Sequence, residues 1–401
     1  MNKKVVGTIL GIALLGGCYF QSKKELTIPE EQIKAISFLD LDNKGENLIY
    51  TAGKESYIDK DGEKIPIKFR IFSNFKAKDK EYYIAESNGK VGIINRELKE
   101  VIAFNYDSLE KINDEFIRGE RDGEFYLIDI EKYSMLGPYK NLYGVSNGEI
   151  IVATDTNGTS YLDEKGNKIQ GLDEKNILFF RGAVAVTEKN GLFGMYDVEN
   201  KKYVEENNQE IYFADNNLLI KRDGKYYFND KELDIKRVYP TMSDVVIYDL
   251  GEGFGLFDLK DGSFSKEPYD EVAPNYDRYV IVGKGGKYGI IDKYTEKGSN
   301  YEFDYINKLG RNSFIAGTDE VGLFALVVDD KKITEEKYEN FIEISENYYI
   351  GMAENKYTLL DKTGKEIVTC KKDDLLYYNK KVVIVRDRME QRFYILESEE
   401  L

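Results

Sequence analysis

The sequence has no histidine and no tryptophan, and only two cysteines and six prolines among 401 residues. Without histidine there is no imidazole for general acid–base catalysis, for a Ser-His-Asp or Cys-His arrangement, or for metal binding. The cysteines, Cys18 and Cys370, fit no zinc-binding spacing. The scarcity of proline beside 35 glycines favours many tight turns over a proline-rich linker protein.

Basic residues are also scarce, since 57 Lys and Arg face 73 Asp and Glu and leave a formal net charge of −16. Such a surface repels phosphate backbones, so we expect no nucleic-acid partner. It offers no basic patch for anionic lipid, so any attachment to a membrane has to come from a covalent anchor.

Several short stretches look like ligand-binding loops, but none meets the full requirement. Segment 40–45 begins like a calcium loop, yet its twelfth position is Thr51, which cannot supply the bidentate carboxylate. Segments 59–63 and 163–166 combine Asp with Gly at hairpin positions, so we interpret them as turns. Segment 283–287 is glycine-rich but opens a strand rather than a helix. We therefore predict no metal site and no cofactor.

The N-terminus carries the longest apolar run. Residues 2–4 are Asn-Lys-Lys, and residues 5–15 form an apolar stretch of eleven residues, which is too short to span a bilayer comfortably. The run ends in Leu15-Gly16-Gly17-Cys18, which resembles the lipobox of bacterial lipoproteins. The resemblance implies cleavage before Cys18, a diacylglycerol group on this cysteine, and a mature chain held outside the cytoplasmic membrane, on either the inner or the outer membrane. We therefore expect a signal peptide at 1–17, a polar tether at 18–32, and a quiet, buried thiol at Cys370.

The rest of the chain contains an internal repeat. It is rich in aromatic residues, with 32 Tyr and 21 Phe, and these favour strands. An apolar stretch, closed in all copies but one by an acid or an amide, recurs at intervals of about 34 residues. The closing positions are Asp59, Asn95, Asp129, Asp163, Asp197, Asp230, Asp258, Asp292, Val328, Asp361 and Glu397. A register held this long predicts one repeat architecture rather than several unrelated domains.

Each copy contains further strand-like segments. In five copies an aromatic, a polar and then an apolar residue follow the closing position by ten or eleven residues, as in Tyr106-Asp107-Ser108-Leu109. Apolar segments such as 149–153 precede the closing strand, and turns such as Thr363-Gly364 separate the segments. We predict three or four short antiparallel strands per copy and an all-β chain, with helical character only around 30–35.

Two copies show the repeat most clearly: Gly286-Lys287-Tyr288-Gly289-Ile290-Ile291-Asp292 and Gly89-Lys90-Val91-Gly92-Ile93-Ile94-Asn95. This pattern resembles the WG-repeat family, whose core reads roughly Gly-Lys-Trp-Gly-Tyr-Ile-Asp and is followed by a Tyr-Asp-x-Ile element. The chain departs from the family in having no Trp, and residues such as Tyr288 and Phe193 stand in its place. The resemblance implies a β-repeat scaffold without a shared active site.

The architecture follows from what such a unit has to bury. Three or four short strands cannot cover both of their faces, so neighbouring units have to stack. We expect the aromatic residue at the Trp position to wedge between adjacent sheets, and the Gly after it to admit a close backbone or ring. We favour propeller-like packing of about eleven antiparallel units over residues 33–401, with an open superhelical β array as the alternative.

Tyrosine doublets, including Tyr377-Tyr378, are the only site-like signal. Because neighbours on a strand point to opposite faces, we expect one ring of each doublet in the core and the other outside. Outward rings would offer stacking platforms to a sugar or a partner protein, whereas core packing on both faces is the alternative. The candidate binding residues are Tyr82, Tyr83, Tyr226, Tyr227, Tyr348 and Tyr349.

These observations favour a non-catalytic lipoprotein of the cell envelope whose β-repeat array is a scaffold for binding a protein or a glycan. One alternative is an envelope carbohydrate-active enzyme that uses Asp, Glu and Tyr at a central opening. Converging carboxyl groups with strongly raised pKa values would favour that alternative. A purely structural spacer is the third possibility.

Overall fold

The chain folds into a ring of eleven small antiparallel sheets, which is an eleven-bladed β-propeller. The computed structural model describes residues 28–60, 63–172, 175–215, 217–239, 244–249, 251, 253–265, 268–273, 278–318, 322–388 and 390–396, with the backbone of 19–21. The leader and the lipobox, including Cys18, lie outside these residues. The prediction of an all-β repeat with about eleven units is confirmed.

Before the first blade come strand β1 (Tyr19–Gln21) and the short helix α1 (Glu30–Ile33). Blades are numbered in chain order, and blade 1 consists of β2 (Ile36–Leu41), β3 (Leu48–Ala52), β4 (Glu55–Lys60) and β5 (Glu63–Ile67). Blade 2 consists of β6 (Arg70–Ala77), β7 (Lys80–Ser87), β8 (Lys90–Asn95) and β9 (Glu100–Tyr106). Blade 3 consists of β10 (Ser108–Lys111), β11 (Phe116–Arg121), β12 (Glu124–Asp129) and β13 (Met135–Tyr139).

Blades 4 to 7 consist of β14 (Asn141–Val145), β15 (Ile150–Thr154) and β16 (Thr159–Asp163); β17 (Ile177–Arg181), β18 (Val184–Lys189), β19 (Leu192–Asp197) and β20 (Lys202–Asn208); β21 (Glu210–Ala214), β22 (Asn217–Arg222), β23 (Lys225–Phe228) and β24 (Lys231–Leu233); and β25 (Arg237–Tyr239), β26 (Val245–Asp249) and β27 (Phe254–Asp258). A 3-10 turn covers Ser146–Gly148.

Blades 8 to 11 consist of β28 (Glu271–Val272), β29 (Tyr279–Lys284) and β30 (Lys287–Asp292); β31 (Tyr305–Lys308), β32 (Ser313–Gly317), β33 (Ala325–Val328) and β34 (Lys331–Lys332); β35 (Asn340–Ser345), β36 (Tyr348–Ala353), β37 (Lys356–Asp361) and β38 (Glu366–Lys371); and β39 (Leu375–Tyr378), β40 (Val382–Asp387) and β41 (Glu390–Ile395). A second 3-10 turn covers Lys372–Asp374. None of the helices among these described residues is long and apolar enough to cross a membrane.

In several copies of the repeat, the acid that closes the strand also stabilises the turn that follows it. Asp163 Oδ1 accepts the backbone N–H groups of Lys165 at 2.9 Å and of Asn167 at 2.8 Å. Asp361 Oδ1 likewise accepts the N–H of Thr363 at 2.8 Å. A carboxylate that hydrogen-bonds to the backbone two residues on stabilises a tight turn. The interpretation of 163–166 as a turn is confirmed, whereas residues 61 and 62 of the turn at 59–63 lie outside the described residues.

Hydrophobic clusters between consecutive blades close the ring. Eleven clusters of described residues each join one blade to the next, and one of them joins blade 11 to blade 1. We call this last contact the seam, and its core includes Leu39 and Tyr50 from blade 1 with Ile384 and Phe393 from blade 11. The seam excludes the open superhelical array, because an open array leaves its two end units unpaired.

The N-terminal segment belongs to the seam. The backbone of β1 pairs with β41 and supplies the fourth strand of blade 11. Ile28, just before α1, and Ile33, the last residue of α1, are buried in the seam core. Residues 19–21 of the expected tether thus pair with blade 11, because β41 presents an edge of unpaired backbone groups that β1 satisfies.

The first strands of blades 1, 2 and 3 contact one another across neighbouring blades. Side chains on the first strands of neighbouring blades meet: Asn74 Nδ2 on β6 donates to Asp40 Oδ2 on β2 at 2.8 Å. Lys111 Nζ on β10 donates to the carbonyl of Lys76 on β6 at 2.6 Å. Because strands alternate in direction, the hairpins between second and third strands and the connections between blades share one face. We call this the upper face, and the opposite one the lower face.

Candidate functional site

A cavity of about 750 Å³, which we call the seam cavity, lies beside the seam between α1 and blades 10 and 11. Six apolar or aromatic residues line it, and they are Ile342, Tyr357, Leu375, Leu376, Tyr377 and Tyr378. Charged residues complete its wall, and they are Glu30, Lys34, Lys372, Asp373 and Arg386. A concavity that combines apolar and aromatic side chains with polar groups is a common form of ligand site.

Strand β39 supplies most of the aromatic wall. Its register against β40 shifts between Leu375 and Tyr377, so that Leu376 is the extra residue of a β-bulge. A bulge changes the direction of the side chains that follow it. Leu375 packs in the core between blades 10 and 11, and Tyr377 packs in the seam core. Tyr378, at the end of the strand, keeps 42% of its surface exposed.

Arg386 ties the helix to the last blade. Its guanidinium hydrogen-bonds to the Glu30 carboxylate on α1 and, at 3.0 Å, to Asp374 Oδ1. Lys34 Nζ also lies 3.7 Å from Glu30 Oε1. The wall contributed by α1 is therefore held in place by its contact with blade 11.

The cavity has the chemistry of a binding site. Burial raises the pKa of Tyr377, and the hydrogen bond that Asn379 Nδ2 donates to its hydroxyl oxygen at 3.5 Å offsets this only in part, so the ring is neutral at physiological pH. No serine, threonine or cysteine is among the described residues that line the cavity. Exposed tyrosine rings beside aliphatic side chains suit stacking against a sugar or an apolar side chain.

The tyrosine doublets singled out in the sequence lie elsewhere. Tyr227 is half-buried, and the other five candidate rings are buried, namely Tyr82, Tyr83, Tyr226, Tyr348 and Tyr349. Both faces of a propeller blade are covered by its neighbours, so two adjacent residues on a strand can both be buried. The alternative of core packing fits these five rings, and outward platforms do not. The remaining doublet, Tyr377-Tyr378, keeps an exposed ring because it lies on a first strand.

Two carboxyl groups among the described residues have raised pKa values. Burial raises the pKa of Asp258, and Asp261 and Asp244 add to the effect. Burial also raises the pKa of Asp329, and Asp330 adds to it. Asp258 lies at the lower end of the third strand of blade 7, and Asp329 follows the third strand of blade 9. Different neighbouring charges affect the two pKa values. Neither residue lines the seam cavity, and no group of three or more acids or cysteines among the described residues is arranged to hold a metal ion.

Comparisons with known proteins do not identify a family. No family model and no curated protein sequence matches the chain. Among solved structures, PorZ, a surface component of the type-IX secretion system of Porphyromonas gingivalis, aligns with 74% of this chain and 51% of its own length, at 10% identity and a TM-score of 0.25. The chain thus spans about half the length of PorZ. A eukaryotic initiation factor aligns with 79% of this chain and 98% of its own length, at 10% identity and a TM-score of 0.36. Superpositions this loose indicate no shared function.

Proposed function

We propose that this chain is a lipid-anchored protein of the cell envelope that binds a protein or glycan partner without catalysis, and that the seam cavity is its binding site. One observation carries the binding site: the cavity of about 750 Å³, lined by apolar and charged side chains, whose wall presents the exposed ring of Tyr378. The lipobox that ends in Cys18 supports the anchor.

The arrangement of charge at the cavity favours binding over chemistry. The Glu30 carboxylate is held by Arg386 and lies near Lys34. The two carboxyl groups with raised pKa values, Asp258 and Asp329, lie in other blades, so they supply no acid–base pair at the aromatic wall. A glycosidase needs two carboxyl groups that flank one bond.

Replacement of Tyr378 tests the binding site. We expect Tyr378→Ala to weaken partner binding about tenfold, which corresponds to about 1.4 kcal/mol for a lost aromatic contact. Tyr305→Ala is the matched control, because Tyr305 is 46% exposed and also lies on a first strand, in blade 9. Binding is measured by affinity electrophoresis in envelope polysaccharides and by cross-linking in intact cells.

The outcomes separate the candidate functions. A glycan partner is identified if a polysaccharide gel retards the wild type and Tyr305→Ala but not Tyr378→Ala. A protein partner is identified if a protein cross-links to the wild type and Tyr305→Ala but not to Tyr378→Ala. Equal binding by the wild type and both variants places the site elsewhere. Absence of any captured partner favours the structural spacer.

The anchor is tested separately. We expect a labelled lipid precursor to mark the wild type, and Cys18→Ala to remove both the label and the association with membranes. A Cys18→Ala variant that stays bound to the membrane, together with an unlabelled wild type, would show that the anchor proposal is wrong.

A further inference from the structure

The N-terminal strand determines where an anchor on Cys18 would leave the ring. β1 begins at Tyr19, whose Cα is paired with that of Ile395 at the outer edge of blade 11. A single peptide bond joins Cys18 to Tyr19, so their Cα atoms are about 3.8 Å apart. An acyl group on Cys18 would therefore have no polypeptide spacer between the bilayer and the ring.

The direction of β41 identifies the face on which Cys18 emerges. β41 starts at the upper-face hairpin between Asp387 and Glu390 and runs down to Ile395. β1 is antiparallel to β41, so Tyr19 is at its lower end and Gln21 at its upper end. The chain therefore enters β1 at the lower rim of blade 11.

The seam cavity lies toward the opposite face. It is lined by Lys372 and Asp373 from the connection between blades 10 and 11, by Arg386 near the upper end of β40, and by α1, which leads into the upper end of β2. All these elements belong to the upper face, whereas Tyr378, at the end of β39 that pairs with Val383, lies at the part of the cavity nearer the lower face. The same seam thus carries the anchor strand below and the cavity above.

We propose that the lipid bilayer lies against the lower rim of blade 11, and that the seam cavity opens on the side of the ring turned away from it. This inference rests on the lipid attachment at Cys18 that is part of the proposed function. The exposed side chain of Lys380 lies on this rim, in the turn between β39 and β40, where it can meet lipid phosphates. Blade 5, on the far side of the ring, is held away from the membrane.

The absence of tryptophan allows a direct test with single-tryptophan variants. Three exposed residues report on three places: Lys380 on the lower rim of blade 11, Glu390 at the upper end of the same blade, and Lys202 at the lower end of β20 in blade 5. The acylated full chain is reconstituted into phosphatidylcholine vesicles whose headgroups carry a nitroxide quencher. We expect Lys380→Trp to lose most of its fluorescence, and Glu390→Trp and Lys202→Trp to lose little.

A spacer variant provides the control. A flexible Gly/Ser linker inserted between Cys18 and Tyr19 should remove the difference between the three positions while leaving the acyl group in place. Equal quenching at all three positions without the linker, or stronger quenching of Glu390→Trp, overturns the proposed orientation. So does a difference that survives the linker, because the short attachment would then not be its cause.

Mass spectrometry of the purified chain separates this inference from the one it rests on. If Cys18 carries an acyl group but quenching is uniform, the proposed orientation is wrong and the lipoprotein proposal stands. If Cys18 carries no acyl group, both the lipid anchor and the orientation are wrong.

Discussion

Lys287, at the start of the third strand of blade 8, forms an ion pair with Asp304, which immediately precedes the first strand of blade 9, with Nζ 2.5 Å from Oδ1. Lys90 and Asp107 make the same contact between blades 2 and 3, at the same separation of 17 residues and the same distance. Asp107 Oδ2 also accepts the backbone N–H of Asp122 at 2.8 Å. The Lys and the Asp of the repeat are therefore two halves of a contact that holds neighbouring blades together.

Loss of the contact between Lys287 and Asp304 should destabilise the ring slightly. Both side chains are partly exposed, so we expect Lys287→Ala or Asp304→Ala to lower the free energy of unfolding by about 0.2–1 kcal/mol. Urea unfolding of the wild type, both single variants and the double variant measures the coupling. The coupling should shrink at high salt, and its absence at low salt would mean that the ion pair adds no stability.

The backbone that faces the glycine after the Trp position approaches it more closely in some blades than in others. A Cβ on Gly194 would lie 2.5 Å from the carbonyl oxygen of Val204, whereas one on Gly289 would lie 3.2 Å from that of Asn300. The register between β19 and β20 shifts at this point, which is typical of a bulge. The predicted close approach is confirmed, and it is tighter at Gly194.

Alanine substitutions should follow this difference. We expect Gly194→Ala to cost about 1–3 kcal/mol through overpacking against a backbone that cannot move away, and Gly289→Ala to cost less. Gly123→Ala is the control, because no atom lies within 4 Å of its Cβ position and its positive φ alone costs about 1 kcal/mol. Equal losses at Gly194 and Gly289 in urea unfolding would rule out close approach as the reason for the glycine.

Local features of this fold were predictable from the sequence, and long-range ones were not. Asp163 and Asp361 act on residues two to four positions away, so the repeat spacing already identified them as turn residues. Closure of the ring depends on contacts such as the hydrogen bond from Asn379 Nδ2 to the carbonyl of Leu39, at 3.0 Å across 340 positions. No periodicity carries information about a contact between the two ends of an array.

Side-chain burial was predicted less well, because a propeller covers both faces of its blades. The rule of alternating faces failed for Tyr348 and Tyr349, which are both buried. Phe393 stands at the Trp position of the last copy, and the predicted wedge holds for it because it is buried in the seam core. It does not hold for Tyr288, which is half-buried and donates its hydroxyl to Glu271 Oε2 at 2.9 Å. The seam cavity was not predicted, because it exists only where the ends meet.

Asp40 joins three blades at the seam. Its carboxylate is fully buried, and its Oδ1 accepts Lys381 Nζ from blade 11 at 2.7 Å, while its Oδ2 accepts Asn74 Nδ2 from blade 2. Removing one partner of a buried ion pair typically costs 3–5 kcal/mol. Because the Lys381 side chain is 30% exposed and can be rehydrated, we expect Asp40→Ala to cost about 3 kcal/mol, the lower end of that range.

Hydrogen exchange should show where the seam weakens. In Asp40→Ala, we expect the largest loss of protection in the strands of blades 11 and 1, with little change in blade 6. Asp361→Ala removes a turn acid away from the seam core, and we expect it to cost about 1 kcal/mol. A uniform loss of protection around the ring in Asp40→Ala would show that closure is not a separate cooperative step.

Buried tyrosines should set the alkaline limit of stability. Burial raises the pKa of Tyr83 and of Tyr349 far above the ordinary value, and nearby carboxylates of Asp40 and Glu343 add to the effect. Since the folded chain keeps these rings protonated and the unfolded chain ionises them near pH 10, stability falls as pH rises above that value. We expect tyrosinate absorbance to rise in two phases, exposed rings first and buried rings on unfolding. A single phase complete before the loss of circular dichroism would contradict this.

Cys370 gives a second alkaline signal. Its thiol is half-buried between blades 10 and 11, and burial, followed by the carboxylate of Asp374, raises its pKa to about 11. Only the thiolate reacts with iodoacetamide, so at pH 8 we expect alkylation in the folded chain to be roughly a hundredfold slower than in urea, where the pKa returns to about 8.5. The folded rate should keep rising up to about pH 11. Equal rates in the folded and unfolded chain at pH 8 would mean that the thiol is an ordinary exposed one.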